Sequence, residues 1–222
     1  ILYLQDYGAH PEGSDSSNRL PEVLWSGEVH GNEQVGPTAV LEATQLLLEA
    51  ASCEGLPRLA LKGTDGWDEE WKHAQKCRQD LYDRGIDDRH RQWLARLLMT
   101  RRLVVVPTAN ALGYYQKVRE ENRIDPNRDF PYDITSPQDC MQTIAGRTLN
   151  EVFRLHIFQL SLTFHGGMEV IGYEWGAPHW LGKKSPDDTA QSQVAQAYSQ
   201  YAGGWSSTKP YDYGPYVIVC VT

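Results

Sequence analysis

No stretch of this 222-residue chain approaches the roughly 20 consecutive apolar residues that cross a bilayer, so no membrane-spanning segment is expected. Positive charge is in deficit, 21 Lys+Arg against 29 Asp+Glu, and the formal charge of -8 argues against a nucleic-acid partner. Cysteine is sparse. Cys53, Cys77, Cys140 and Cys220 show neither CxxC spacing nor neighbouring histidine pairs, which argues against a cysteine metal site. They could close two disulfides in any of three pairings, a lean toward secretion. There is no Asn-x-Ser/Thr sequon, no initiator Met and no signal-peptide pattern at Ile1, so the chain reads as one that begins in mid-protein. A hydrophobic share of 41% with 23% charged residues is that of a soluble globular protein. The length suffices for one sizeable core, and residues 1–222 are read as a single domain.

What is present is organised around Gly27-Glu28-Val29-His30-Gly31-Asn32-Glu33-Gln34-Val35-Gly36-Pro37. The apolar run Pro21 to Trp25 before it reads as a buried strand, and Thr38 to Ala51 after it reads as a helix opened by Pro37. His30 and Glu33 then lie on a strand-to-helix turn, where ligands bind in open α/β sheets. A neutral imidazole and a carboxylate three positions apart can converge on one ion, and nitrogen plus oxygen ligation suits zinc.

Ile1 to Gln5 reads as a short strand and Asp6 to Leu20 as a loop. Residues 54–91 are charged and irregular, with a helix expected near Trp71 to Arg84; they read as a surface insertion, which a Cys53–Cys77 bond is one way of tying back. Asp88 to Met99 has the spacing of an amphipathic helix. Leu103-Val104-Val105-Val106 is a β-branched run suited to a central parallel strand, ended by Pro107. Thr108 to Tyr132 is expected to be a long polar loop rich in Asn and Arg, groups that bind carboxylates and carbonyls. Helix is expected from Glu151, and Leu160 to Phe164 is a third apolar strand ending at His165-Gly166-Gly167. Parallel strands bring their carboxyl ends together, so His165 can join His30 and Glu33. Two His and one Glu with a fourth position open is the ligand set of a catalytic zinc.

The turn at His30 to Glu33, the segment Asn110 to Tyr114, the run Asp125-Pro126-Asn127-Arg128-Asp129-Phe130-Pro131 and the strand end Phe164-His165 occur in the order found in the zinc metallocarboxypeptidases of the A/B and N/E types, and residues 22–176 resemble that family. The resemblance implies an α/β fold, a three-layer α/β/α sandwich around a mixed, mostly parallel twisted sheet. It implies zinc-dependent hydrolysis of the C-terminal peptide bond of peptides or proteins, with one Zn2+ per chain held by His30, Glu33 and His165. By the same resemblance Asn127 and Arg128 hold the terminal carboxylate, Arg119 steadies the oxyanion, and Asp125 accepts the free N–H of His30. These are roles that bidentate arginine, a preorganised cation and a carboxylate behind a zinc histidine can fill.

The chain departs from the family pattern in places. Asn32 stands where pancreatic members carry arginine, which moves the motif toward the N/E type, and Asn110-Ala111-Leu112-Gly113-Tyr114 stands where Asn-Pro-Asp-Gly-Tyr is usual. Tyr211-Asp212-Tyr213-Gly214 resembles the segment that precedes the family's tyrosine lid and catalytic glutamate, and Thr222 comes before either. The 222 residues alone are therefore expected to bind zinc and to hydrolyse poorly. Rival readings are a zinc deacylase of acyl amino acids, of the succinylglutamate desuccinylase or aspartoacylase type, an inactive peptide-binding pseudoenzyme, and a metal-free structural domain.

Overall fold

The computed structural model describes residues 1–55, 67–131, 137–167, 170–176, 180, 183–202 and 208–210. In chain order its elements are β1 (Leu2–Leu4), α1 (Asp15–Asn18), β2 (Glu22–Gly27), α2 (Val35–Cys53), α3 (Trp67–Asp83), α4 (Asp88–Thr100), β3 (Arg102–Val106), α5 (Ala111–Gln116), α6 (Ile144–Leu155), β4 (Phe158–Phe164), β5 (Ile171–Tyr173), α7 (Asp188–Tyr201) and β6 (Thr208–Pro210). Four strands form a sheet in the order β1-β3-β2-β4, and β5 pairs in parallel with β6, Ile171 opposite Thr208. The fold is α/β, of the sandwich class around a mixed sheet, as the resemblance implies. The Arg102 amide donates to the Pro21 carbonyl and the Ala109 amide to Gly27, so β2 and β3 run in the same direction. None of the described helices is long and apolar enough to cross a membrane.

By backbone contact the chain divides into two units, one of Ile1, Val23–Val40 and Val105–Thr222, the other of Leu2–Glu22 and Leu41–Val104. The second unit buries Leu47, Ala50, Leu81, Leu94, Leu98, Leu103 and Val104, each worth about 1.5–3 kcal/mol where a large aliphatic side chain leaves water. Arg91 is buried there too, tolerated because its guanidinium donates to Glu54 (2.7 Å) and Asp88 (2.7 Å). Arg102 donates to Glu22, Gln5 and Ser17 and so ties the start of β3 to the N-terminal segment. Cys53 and Cys77 are joined, Cα to Cα 5.6 Å, the bond expected to tie the insertion back.

The first unit carries the candidate site. Leu24, Val29, Val40, Val105, Val106, Leu149 and Val152 are buried in it. Ser26 of β2 and Thr163 of β4 share a hydrogen bond of 2.9 Å, four residues before His30 and two before His165. That bond brings the carboxyl ends of the two strands side by side.

Boundaries differ from expectation where a side chain, rather than periodicity, sets them. Helix α6 begins at Ile144, seven residues before the expected start at Glu151, because Thr143 caps it by accepting from the Gly146 amide (2.9 Å). The expected loop after β3 contains α5, capped by Asn110, whose side-chain oxygen accepts from Gly113 (2.8 Å). Helix α3 spans Trp67–Asp83, so the irregular reading of 54–91 holds for less of that stretch than composition implied. The motif at 211–214 lies outside the described residues.

Candidate metal centre

At the end of β2, Glu28 takes a left-handed backbone (φ 55°) that bends the chain out of the sheet. The Glu33 amide then donates to the His30 carbonyl (3.1 Å), closing a turn that brings the two side chains to one side. Gly31 lets that turn lie against α5. A Cβ added there would come 2.1 Å from the Gly113 carbonyl carbon and 2.4 Å from the Tyr114 nitrogen, backbone atoms with nowhere to go. The Gly31 amide donates to the Arg119 carbonyl (3.2 Å), which also accepts from the Asn110 side chain (3.2 Å). The first turn and the loop after α5 are thus pinned to each other through backbone. At Gly36 a Cβ would stand 2.6 Å from the Phe164 carbonyl oxygen, so β4 can deliver His165 close beside the same turn.

The three residues meet. Nδ1 of His30 lies 2.8 Å from one Glu33 carboxylate oxygen and Nδ1 of His165 2.7 Å from the other. One ligand atom from each lies within 4.8 Å of the others. A tetrahedral zinc with bonds near 2.1 Å spaces its ligands roughly 3.4 Å apart, so the donor set and its spacing fit such an ion. Behind His30, Nε2 lies 3.1 Å from Asp125, which also accepts from the Asn127 amide (2.9 Å) and from Arg119 (2.9 Å). Arg119 reaches Glu33 as well, at 3.3 Å. Of the sequence-predicted residues on the 119–128 loop, Arg119 and Asp125 thus touch the three directly, and Asn127 meets Asp125 through its backbone amide. Arg128 donates to the Asn127 carbonyl (2.8 Å), whereas the buried side-chain nitrogen of Asn127 has no hydrogen-bond partner among the described residues.

Electrostatics follow from this crowding. Burial would raise the Glu33 carboxyl, but hydrogen bonds from His165 and His30 outweigh it and hold it well below the usual carboxylate range. Asp125 is also depressed: burial opposes ionisation, and His30 and Arg119 overcome it. For His30 burial disfavours the charged ring, yet Asp125 and Glu33 raise its pKa; for His165 burial prevails and lowers it.

Glu28 is a residue that sequence reasoning passed over. It is fully buried, both carboxylate oxygens lack partners among the described residues, and burial together with the nearby Glu33 charge pushes its pKa up to about 7. A carboxyl raised in the folded state favours folding below its unfolded pKa and costs stability as pH climbs through the folded value, here up to about 3 kcal/mol. Glu28→Gln in the metal-free protein should accordingly leave thermal stability little changed at pH 5 and raise it relative to wild type at pH 8. A melting-temperature difference that stays constant between the two pH values would refute this.

The profile of the zinc carboxypeptidase family matches residues 80–219, more than half of the sequence. The chain belongs to the zinc carboxypeptidase family. Among curated relatives, carboxypeptidase D of Anas platyrhynchos is 24% identical over 216 residues, covering 90% of this chain and 12% of that protein. The human carboxypeptidase N catalytic chain is 21% identical over 244 residues, covering 92% of this chain and 45% of the relative. The chain thus spans less than half the length of these relatives. Two solved structures share the fold. Thrombin activatable fibrinolysis inhibitor has a TM-score of 0.52 at 14% identity over 86% of this chain and 47% of its own. A metallo-carboxypeptidase from Burkholderia cenocepacia has a TM-score of 0.51 at 12% identity over 90% and 43%. The family profile begins at residue 80, so the convergence of His30 and Glu33 on His165 is information that the three-dimensional arrangement adds.

Proposed function

We propose that the protein is a zinc metallocarboxypeptidase that removes C-terminal residues from peptides or proteins. The observation that carries this reading is the meeting of His30, Glu33 and His165 within 4.8 Å beside a loop bearing Arg119, Asn127 and Arg128. When bound, zinc supplies Lewis acidity that activates water and polarises a carbonyl. The chain's own residues do the rest of what can be assigned. Asp125 faces Nε2 of His30 and holds that ring's orientation, leaving Nδ1 toward the cradle. Arg119, fixed by Asp125 and by its pinned carbonyl, is a preorganised cation for the oxygen on which charge develops. Asn127 offers a buried, unused N–H donor, and Arg128 on the next position offers a planar fork; together they suit a terminal carboxylate. Gripping that carboxylate places the last peptide bond, and no other, at the cradle.

Arg128→Ala should raise KM for peptides with free C-termini by about ten- to a hundredfold, the worth of a charge-assisted contact of 1.5–3 kcal/mol, and leave C-terminally amidated peptides unaffected. Steady-state kinetics on matched pairs decides, and equal losses on both would remove the assignment. Acyl amino acids serve as the control: turnover of these in preference to peptides would favour a deacylase. The Cys53–Cys77 disulfide supports work in an oxidising compartment.

A further inference from the structure

Beyond the cradle, the first unit has an open cleft of about 290 Å³ walled by Gln116, Val118, Arg119, Glu120, Asn122 and Arg123. We infer that this cleft is a second recognition site, selective for an acidic side chain of the substrate on the N-terminal side of the bond to be cleaved. The inference rests on the carboxypeptidase reading for the direction in which the peptide lies.

Its size is that of a subsite for one or two side chains, at the low end of ligand pockets. The backbone that forms it is strained in a particular way. Glu121 and Ile124 exchange both backbone hydrogen bonds (2.9 and 3.0 Å) around Asn122 and Arg123, which have φ of 51° and 67°. A two-residue turn with positive φ at both centres favours Asn at the first place and glycine at the second. Arg123 occupies the second at a conformational cost that a glycine would not carry, and such strain gathers where a side chain is needed. The turn is also rigidly held: the Glu121 carboxylate accepts from the Ile144 and Ala145 amides (2.7 and 3.0 Å) at the start of α6. A preorganised turn loses little freedom when a ligand arrives.

Charge selects the ligand. Arg119 is already satisfied by Asp125 and Glu33, whereas Arg123 pairs with no carboxylate among the described residues. Glu120 is the one acid in the wall, set against the two arginines, and the side-chain amides of Gln116 and Asn122 provide further donors. In a chain whose net charge is -8, an unpaired and strained arginine beside the reaction centre has carboxylate as its natural complement. Arg119 borders both the cradle and the cleft. With the terminal carboxylate at Asn127 and Arg128, the cleft is left for residues preceding the scissile bond.

The test uses N-acetylated tetrapeptides that carry Glu, Ala or Lys at each of the two positions before that bond, with free or amidated C-termini. Binding is measured by calorimetry and cleavage by kcat/KM. Glu peptides should bind and turn over about five- to tenfold better than Ala peptides. Arg123→Ala and Arg123→Gly should both erase that preference while sparing the Ala peptides. Arg123→Gly relieves the turn and should melt no lower than wild type, so that its loss of selectivity is not loss of fold. Absence of a Glu preference, its survival in both variants, or a Lys preference removed by Glu120→Gln would overturn the inference. The two readings fail separately. Cleavage of free C-termini without acidic preference sinks only the cleft, whereas Arg123-dependent binding of acidic peptides together with turnover of acyl amino acids in preference to any peptide sinks only the carboxypeptidase. Failure of both binding and cleavage sinks both.

Discussion

Glu33→Ala is expected to lower zinc affinity by roughly a thousandfold, because a zinc site of four ligands is worth on the order of 10–16 kcal/mol and each ligand carries several of them. Of the three proposed ligands, Glu33 touches both others, at 2.8 Å to His30 and 2.7 Å to His165, and its loss leaves two imidazoles with no anion between them. Asp125→Asn, which weakens the hold on His30 and on Arg119 but removes no proposed ligand, should cost about ten- to a hundredfold. Competition against a chelator of known affinity ranks the two variants. Near-wild-type zinc binding by Glu33→Ala would show that the ion, if bound, sits elsewhere. In the metal-free protein the same substitution has a pH signature. The Glu33 carboxyl lies far below its usual range when folded, so its stabilising contribution is fully present above the ordinary carboxylate pKa and fades as pH falls toward the folded value. The stability gap between wild type and variant should therefore be widest near neutrality and close in acid.

Gly31→Ala should be the most damaging substitution outside the ligands. The added Cβ would lie 2.1–2.4 Å from backbone atoms of Gly113 and Tyr114, distances at which one of the two segments has to move. Overpacking against side chains costs about 1–3 kcal/mol, and against backbone a figure of about 3 kcal/mol or more is expected, a fall in melting temperature of roughly 6–12 °C for a chain of this size. Function suffers more than stability does. The same contact holds the Arg119 carbonyl and sets the turn that carries His30 and Glu33, and a displacement of 1 Å can cost about a hundredfold in rate. Thermal denaturation and zinc titration of the variant check both halves. A fully stable Gly31→Ala that binds zinc normally would mean that the turn and α5 are not in close contact.

Much of the candidate centre is legible in residue order because its members stand at strand ends. Apolar runs mark β2, β3 and β4, and the polar residue just past each run must lie near the sheet's carboxyl edge. His30, Glu33 and His165 follow from that rule together with the chemistry of zinc ligands. The loop from Arg119 to Arg128 is legible as a motif, although α5 before it and its docking on α6 are not. Asn110, Glu121 and Thr143 act by accepting hydrogen bonds from backbone amides, and periodicity carries no trace of such bonds. Glu28 was invisible for a related reason. A carboxyl is ordinarily exposed, and nothing in Gly-Glu-Val-His says that this one turns inward without a partner.

By itself, then, the order of residues determined the kind of fold, the ligand types and the chain of strand ends that deliver them, since hydrophobic spacing and donor chemistry are local properties. Only the tertiary structure decided that two imidazoles and a carboxylate 132 residues apart share one cradle. It also decided that Gly31 abuts α5, that Arg119 is held at its carbonyl as well as at its guanidinium, and that Arg123 has a left-handed backbone at the edge of a cleft and no carboxylate partner among the described residues. Those are facts of close approach between distant segments, and close approach is set by the packing of the whole rather than by any stretch of it.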